Sequence, residues 1–136
     1  MAKKILVIDD EELIIRSLVK LLQKSEYEVM VAKTGQDALV IVEEEKIDLI
    51  ISDIRMPGIN GMESVKTIFL NLDNKMIPRP HVIFITGYAN QEIELKAKAL
   101  NPIDYIYKPF DIQKLLNQIK KVLISWIYAR TLSLRK

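Results

Sequence analysis

The chain has 136 residues, 49% hydrophobic and 28% charged, with a formal net charge of +2. That length fits one domain with a substantial core and is too short for two ordinary ones, and the composition is globular rather than disordered. So small a net charge gives no sign of a nucleic-acid binder, and the absence of cysteine removes disulfides, zinc–thiolate centres and cysteine nucleophiles.

The opening residues, MAKKILVIDD, meet acids too early for a signal peptide, and no run approaches the roughly 18 apolar residues of a membrane span. A cytoplasmic protein without membrane contact is expected. The first apolar run, ILVI at 5–8, reads as a strand and ends in two adjacent carboxylates, Asp9 and Asp10. An amphipathic segment from Leu13 to Leu22 follows, then a second strand, VMVA at 29–32, and a helical segment from Ala38 to Val42. The third strand, LII at 49–51, runs into Asp53 and a turn, MPGINGM. Burying an ionised carboxylate without partners is costly, so Asp53 needs a reason to be there.

Met62, Val65, Ile68, Phe69 and Leu72 then fall on one helical face. Residues 71–80, NLDNKMIPRP, read as the one long polar connection, a surface loop before the strand VIFI at 82–85. That strand ends at Thr86. The next helical segment, 90–100, carries only a thin stripe of Ile93, Ala97 and Leu100, so it should pack loosely enough to shift. A fifth strand, YIY at 105–107, ends at Lys108.

The five runs are continuous rather than alternating, as in strands of a parallel sheet covered on both faces. Strict β–α alternation predicts a doubly wound α/β domain with right-handed crossovers. Sites in such sheets lie outside the carboxyl ends of the strands. Asp9, Asp10, Asp53, Thr86 and Lys108 each sit at or just past such an end, so all five should converge on one edge. Three crowded carboxylates call for a compensating cation or a retained proton. Oxygen donors with open positions suit Mg²⁺. A lysine and a hydroxyl add a charge and a donor for a phosphoryl group, and a carboxylate can be the nucleophile that forms an acyl phosphate. Magnesium-assisted phosphoryl transfer to an aspartate fits.

The segments VIDDEE, DLIISDIRMPGINGME, VIFITGY and DYIYKPF, in that order and spacing, resemble the receiver domain of two-component response regulators. The similarity spans residues 3 to about 124. It implies a five-stranded parallel sheet of order 2-1-3-4-5, flavodoxin-like, with helices on both faces. It also implies a phosphoacceptor switch rather than an enzyme with a turned-over substrate, self-catalysed phosphorylation and dephosphorylation aside. By position Asp53 matches the phosphoacceptor, and Asp9 and Asp10 the acidic pair that holds Mg²⁺, with Mn²⁺ as a substitute. The Arg55 backbone carbonyl would be a further metal ligand. Thr86 matches the hydroxyl that moves to the phosphoryl oxygen, Lys108 the lysine that pairs with it before a cis Lys108–Pro109 bond, and Tyr105 the aromatic that swings inward. Implied partners are a sensor histidine kinase or histidine phosphotransfer protein, and a second copy through the last strand and helices. Nucleic acid is not expected to bind through this chain.

Taken alone, Asp9 or Asp10 could cap the first helix, and Gly58 and Gly61 could simply serve a turn. His81, the only histidine, reads as structural or exposed. Asn101-Pro102 stands where many members have Gly-Ala; Asn tolerates the left-handed helix end and Pro commonly follows one. Gly87 replaces a frequent alanine and stays small. Arg55 and Tyr88, two residues past Asp53 and Thr86, are large groups expected to shield the acyl phosphate and tune its lifetime. A phospho-aspartate hydrolase of haloacid-dehalogenase type is the rival, but DDEEL lacks its second aspartate at the required spacing. A dinucleotide or flavin module would need a phosphate loop where this chain has acids.

Residues 1–124 are thus expected to form the receiver domain. The apolar stripe Ile112, Leu115, Leu116, Ile119, Val122, Leu123 and Trp126 runs on into a helical extension, 125–136. Three readings of that extension stay open: a dimerising helix, a stem into a further output domain, or a frayed end.

Overall fold

The computed structural model describes residues 2–54, 60–88 and 90–134, with side chains as far as Leu123. Five strands and five helices alternate in chain order: β1 (Lys4–Ile8), α1 (Glu12–Lys24), β2 (Glu28–Ala32), α2 (Gly35–Glu44), β3 (Leu49–Asp53), α3 (Gly61–Asn74), β4 (His81–Thr86), α4 (Gln91–Lys98), β5 (Asp104–Tyr107) and α5 (Ile112–Leu134). All strand pairs are parallel and the order is β2-β1-β3-β4-β5.

The continuous apolar runs have a direct cause. Successive strand side chains point to opposite faces, and here both faces are covered. Leu6 and Ile8 of β1 face the layer of α2, α3 and α4, joined by Ile50, Phe84, Val65, Ile68 and Phe69. Ile5 and Val7 face α1 and α5, joined by Ile51, Ile83, Leu18, Leu22, Leu115 and Ile119. Burying each such side chain contributes about 1.5–3 kcal/mol relative to leaving it exposed.

Four helices start on side-chain caps. Thr34 Oγ1 accepts from Asp37 N–H at 3.1 Å, Asn60 Oδ1 from Glu63 N–H at 2.8 Å, Asn90 Oδ1 from Ile93 N–H at 3.0 Å and Asp111 Oδ1 from Gln113 N–H at 2.9 Å. α1 is different: Glu11 stands at its cap position and makes no side-chain cap bond. The capping role open to Asp10 is therefore not used, while Asp9 Oδ1 accepts from Glu11 N–H at 2.9 Å.

α3 runs to Asn74, so the expected loop over 71–80 shortens to 75–80. The helix continues because Leu72 packs on the core, and it stops in a left-handed Met76 (φ 58°) rather than at a glycine. Asn101 takes φ 56°, as its place before Pro102 implies, and the Lys108–Pro109 bond is cis. α4 buries Ala97 alone, in keeping with its thin stripe. His81 is exposed. The backbone of α5 is one helix to Leu134, and Trp126 lies beyond the described side chains.

Candidate functional site

Strand order reverses between β1 and β3, which places the crevice at their carboxyl ends. Asp9 and Asp10 follow β1, and Asp53 is the last residue of β3. Carboxylate oxygens of the three lie within 4.8 Å of one another, Asp9 and Asp53 buried and Asp10 exposed. Thr86 ends the neighbouring strand, one residue past Ile85, the register partner of Asp53. Lys108 is brought in by β5, its N–H donating to the Thr86 carbonyl at 2.8 Å.

Lys108 Nζ organises the pocket. It lies 2.9 Å from Asp53 Oδ2, 3.5 Å from Asp9 Oδ2 and 2.7 Å from Glu11 Oε1. Burial pulls its ammonium pKa down, but hydrogen bonds to Glu11 and Asp53 and the charges of Asp53 and Asp9 outweigh that and hold it above the usual lysine value. Asp9 is the strained member. Burial, with the Asp53 charge adding to it, pushes its carboxyl up to about 6 against the pull of the Glu11 N–H and Lys108.

The folded-state value of Asp9 exceeds the unfolded one, so the fold favours the protonated form. Its contribution is complete below about pH 4 and is lost as pH rises through about 6. Ionised Asp9 therefore weakens the metal-free fold at neutral pH. Asp9→Asn is expected to stabilise the metal-free chain by about 1–2 kcal/mol at about pH 7.5 and by much less near pH 4.5. Urea denaturation at the two pH values checks this; an equal gain at both would remove the titration as its cause.

Thr86 Oγ1 is engaged by its own loop: it accepts from Tyr88 N–H at 3.1 Å and donates to the Tyr88 carbonyl at 3.4 Å. The Tyr88 side chain is 45% exposed. Tyr105 stands on β5, its ring packed on the core layer of α2, α3 and α4 and edge-on to Tyr107 at 5.5 Å. Its buried hydroxyl has no hydrogen-bond partner among the described residues, and burial, with the Tyr107 and Glu94 charges behind it, pushes that group up to about 12. Tyr107 Oη instead donates to Glu94 of α4 at 2.9 Å. Arg55 and Gly58 lie outside the described residues.

Two further residues matter here: Glu11, which no motif singles out, and Gly61, whose role differs from the expected one. Glu11 follows the acidic pair directly and pairs with a lysine 97 positions away; no local pattern announces so distant a bond. Gly61, expected to serve a turn, is the first residue of α3. A Cβ there would lie 1.7 Å from the Asp53 carbonyl oxygen, so glycine is needed for close approach. At Gly87 a Cβ would only touch the Lys108 stem at 3.9 Å.

The three carboxylates are a hard-oxygen donor set that could hold a divalent cation such as Mg²⁺, which would offset both the burial that raises Asp9 and the Asp53 charge that adds to it. No described helix is long and apolar enough to cross a membrane.

This geometry agrees with what comparison with other proteins finds. The response regulator receiver domain matches residues 5–120. Protein PilH of Pseudomonas aeruginosa is 31% identical over 120 residues, 88% of this chain and 97% of PilH. Sporulation initiation phosphotransferase F of Bacillus subtilis is 32% identical over 123 residues, covering 90% and 95% of the two chains. A receiver domain protein from Methanospirillum hungatei superposes with a TM-score of 0.81 at 31% identity, covering 92% of this chain and 96% of that one. Family, strand order and the meeting of the strand-end acids with a β5 lysine agree: the chain belongs to the response regulator receiver domains, the phosphoacceptor switches of two-component signalling.

Proposed function

We propose that Asp53 is the phosphoacceptor, taking its phosphoryl group from a phosphohistidine on a sensor kinase or phosphotransfer protein, or from a small acyl phosphate. The observation that carries this is the 2.9 Å contact between Asp53 Oδ2 and Lys108 Nζ in a pocket with two further carboxylates. An Asp53 oxygen attacks phosphorus in line with the leaving group. The P–N bond of phosphohistidine, or the P–O bond of the acyl phosphate, breaks, and its electron pair leaves with the imidazole or the carboxylate. Lys108, already hydrogen-bonded to Asp53, offsets charge on the transferring oxygens. Asp9, Asp10, Asp53 and the Arg55 carbonyl would hold Mg²⁺, which would supply charge neutralisation at the phosphoryl oxygens.

The product carries about two negative charges where there was one. In this reading Thr86 gives up its bonds to the Tyr88 backbone to donate to a phosphoryl oxygen, and Tyr105 follows into the space it leaves. What supports Tyr105 as the coupled group is its buried hydroxyl, without a hydrogen-bond partner among the described residues, beside an α4 that buries Ala97 alone. The β5 and α4 face, with Leu95 and Tyr107 exposed, is then the surface whose partner affinity changes, a second copy of the chain included. In this reading residues 1–124 form the switch, and the backbone helix of α5 runs past them to Leu134.

The test is intact mass after incubation with acetyl phosphate and Mg²⁺. One added phosphoryl group is expected, absent in Asp53→Ala and absent when EDTA precedes the donor. Following its decay tests the shielding residue, since Tyr88→Ala should shorten the lifetime. Undiminished uptake by Asp53→Ala would refute the assignment.

A further inference from the structure

We propose that Glu11 is a positioning and donor-selecting residue: it tethers Lys108 at the mouth of the pocket and disfavours small dianionic phosphoryl donors. This deepens the reading of Asp53 as phosphoacceptor and rests on it.

Glu11 occupies the cap position of α1 without capping it, alone among the helix starts in sending its side chain elsewhere. Its carboxylate lies 2.7 Å from Lys108 Nζ, closer than the 2.9 Å of Asp53 and the 3.5 Å of Asp9. The exposures are as telling. The Asp9 and Asp53 side chains are 3% and 6% exposed and Lys108 is 12% exposed, whereas Glu11 is 55% exposed. Glu11 is therefore the solvent-side carboxylate on a lysine whose inner contacts are buried.

Two consequences follow. An ammonium has three donors; Glu11 and Asp53 take two of them, so the tether fixes where the third can point. A donor that approaches Lys108 from solvent also meets the Glu11 charge first. The repulsion scales with the donor's charge and is screened by salt, because Glu11 is exposed. A dianion such as acetyl phosphate is opposed about twice as strongly as a monoanion such as phosphoramidate at the same distance.

The experiment measures phosphoryl uptake by the full chain from each donor, at saturating Mg²⁺, for the native protein, Glu11→Gln and Glu11→Asp. Gln keeps an oxygen that can accept from Lys108 and removes the charge; Asp keeps the charge on a shorter stem. In Glu11→Gln the acetyl phosphate rate should rise about three- to tenfold, and its ratio to the phosphoramidate rate about two- to threefold. Glu11→Asp should hold the native ratio. The difference should fade at about 1 M salt, where the screening length is about 3 Å. Uptake with an unchanged ratio in Glu11→Gln, or a ratio in Glu11→Asp that matches Glu11→Gln, would overturn the role of Glu11 and leave Asp53 intact. No uptake by the native chain from either donor would instead overturn the Asp53 reading beneath it.

Discussion

Gly61→Ala is expected to cost about 3 kcal/mol of stability and to impair phosphoryl uptake at Asp53, although it adds one methyl group. The new Cβ would fall 1.7 Å from the Asp53 carbonyl oxygen, 2.5 Å from Ser52 Oγ and 2.8 Å from the Asp53 carbonyl carbon. Ser52 could rotate away, at the loss of its 3.0 Å hydrogen bond to the Asp53 carbonyl. The backbone of β3 cannot, because it is paired with β1 on one side and β4 on the other. The start of α3 must therefore back off. That would break the 2.9 Å bond from Gly61 N–H to the Ile54 carbonyl and strain the packing of Val65, Ile68 and Phe69 on the sheet. Urea denaturation reads the first effect and the intact-mass assay the second. Gly87→Ala is the natural control, since its Cβ meets only the Lys108 stem at ordinary contact distance. A loss below about 1 kcal/mol for Gly61→Ala would mean that α3 moves more freely than its core contacts imply.

Why one glycine was misread and the strands were not is a matter of range. A strand covered on both faces writes its burial into its own residues, so ILVI and VIFI could be read directly and the carboxylates at their ends placed on one edge. A close approach writes nothing locally. Gly61 is small because of a carbonyl oxygen eight residues back, and the sequence GING says only that a turn lies nearby. The same holds for helix ends. Asn101 before Pro102 was readable, but Glu26 and Met76 take φ 71° and 58° without residues that favour it. There the exit is closed by backbone bonds rather than by a residue type: Tyr27 N–H and Ile77 N–H return to the carbonyls of Leu22 and Leu72, as in a Schellman ending. Glu11 is the extreme case, with a cap position that suggests a local role and a partner on the last strand's far end.

Lys108→Met should show how much of the site is held by one cation. The substitution keeps most of the apolar stem and removes the charge. Asp9 and Asp53, 3% and 6% exposed, would then lose the Lys108 ammonium, and taking a close cation from buried carboxylates is destabilising. At about pH 7.5 without metal the expected loss is about 2–3 kcal/mol. Protonation of Asp9 relieves it, and that carboxyl is already raised by burial with Lys108 present. Removing the cation raises it further, so the loss should shrink as pH falls towards 5. Mg²⁺ should restore part of the stability, since it supplies charge to the same oxygens. In the double variant with Asp9→Asn the two effects should not add, the cost of Lys108→Met falling by about 1 kcal/mol or more because one of the carboxylates it compensates is gone. Phosphoryl uptake from acetyl phosphate should drop about a hundredfold even at saturating Mg²⁺, the scale of losing one preorganised donor. A loss of stability that is equal at both pH values and additive with Asp9→Asn would assign Lys108 to packing alone. The 2.9 Å contact with Asp53 would then be a consequence of the fold rather than a part of the switch.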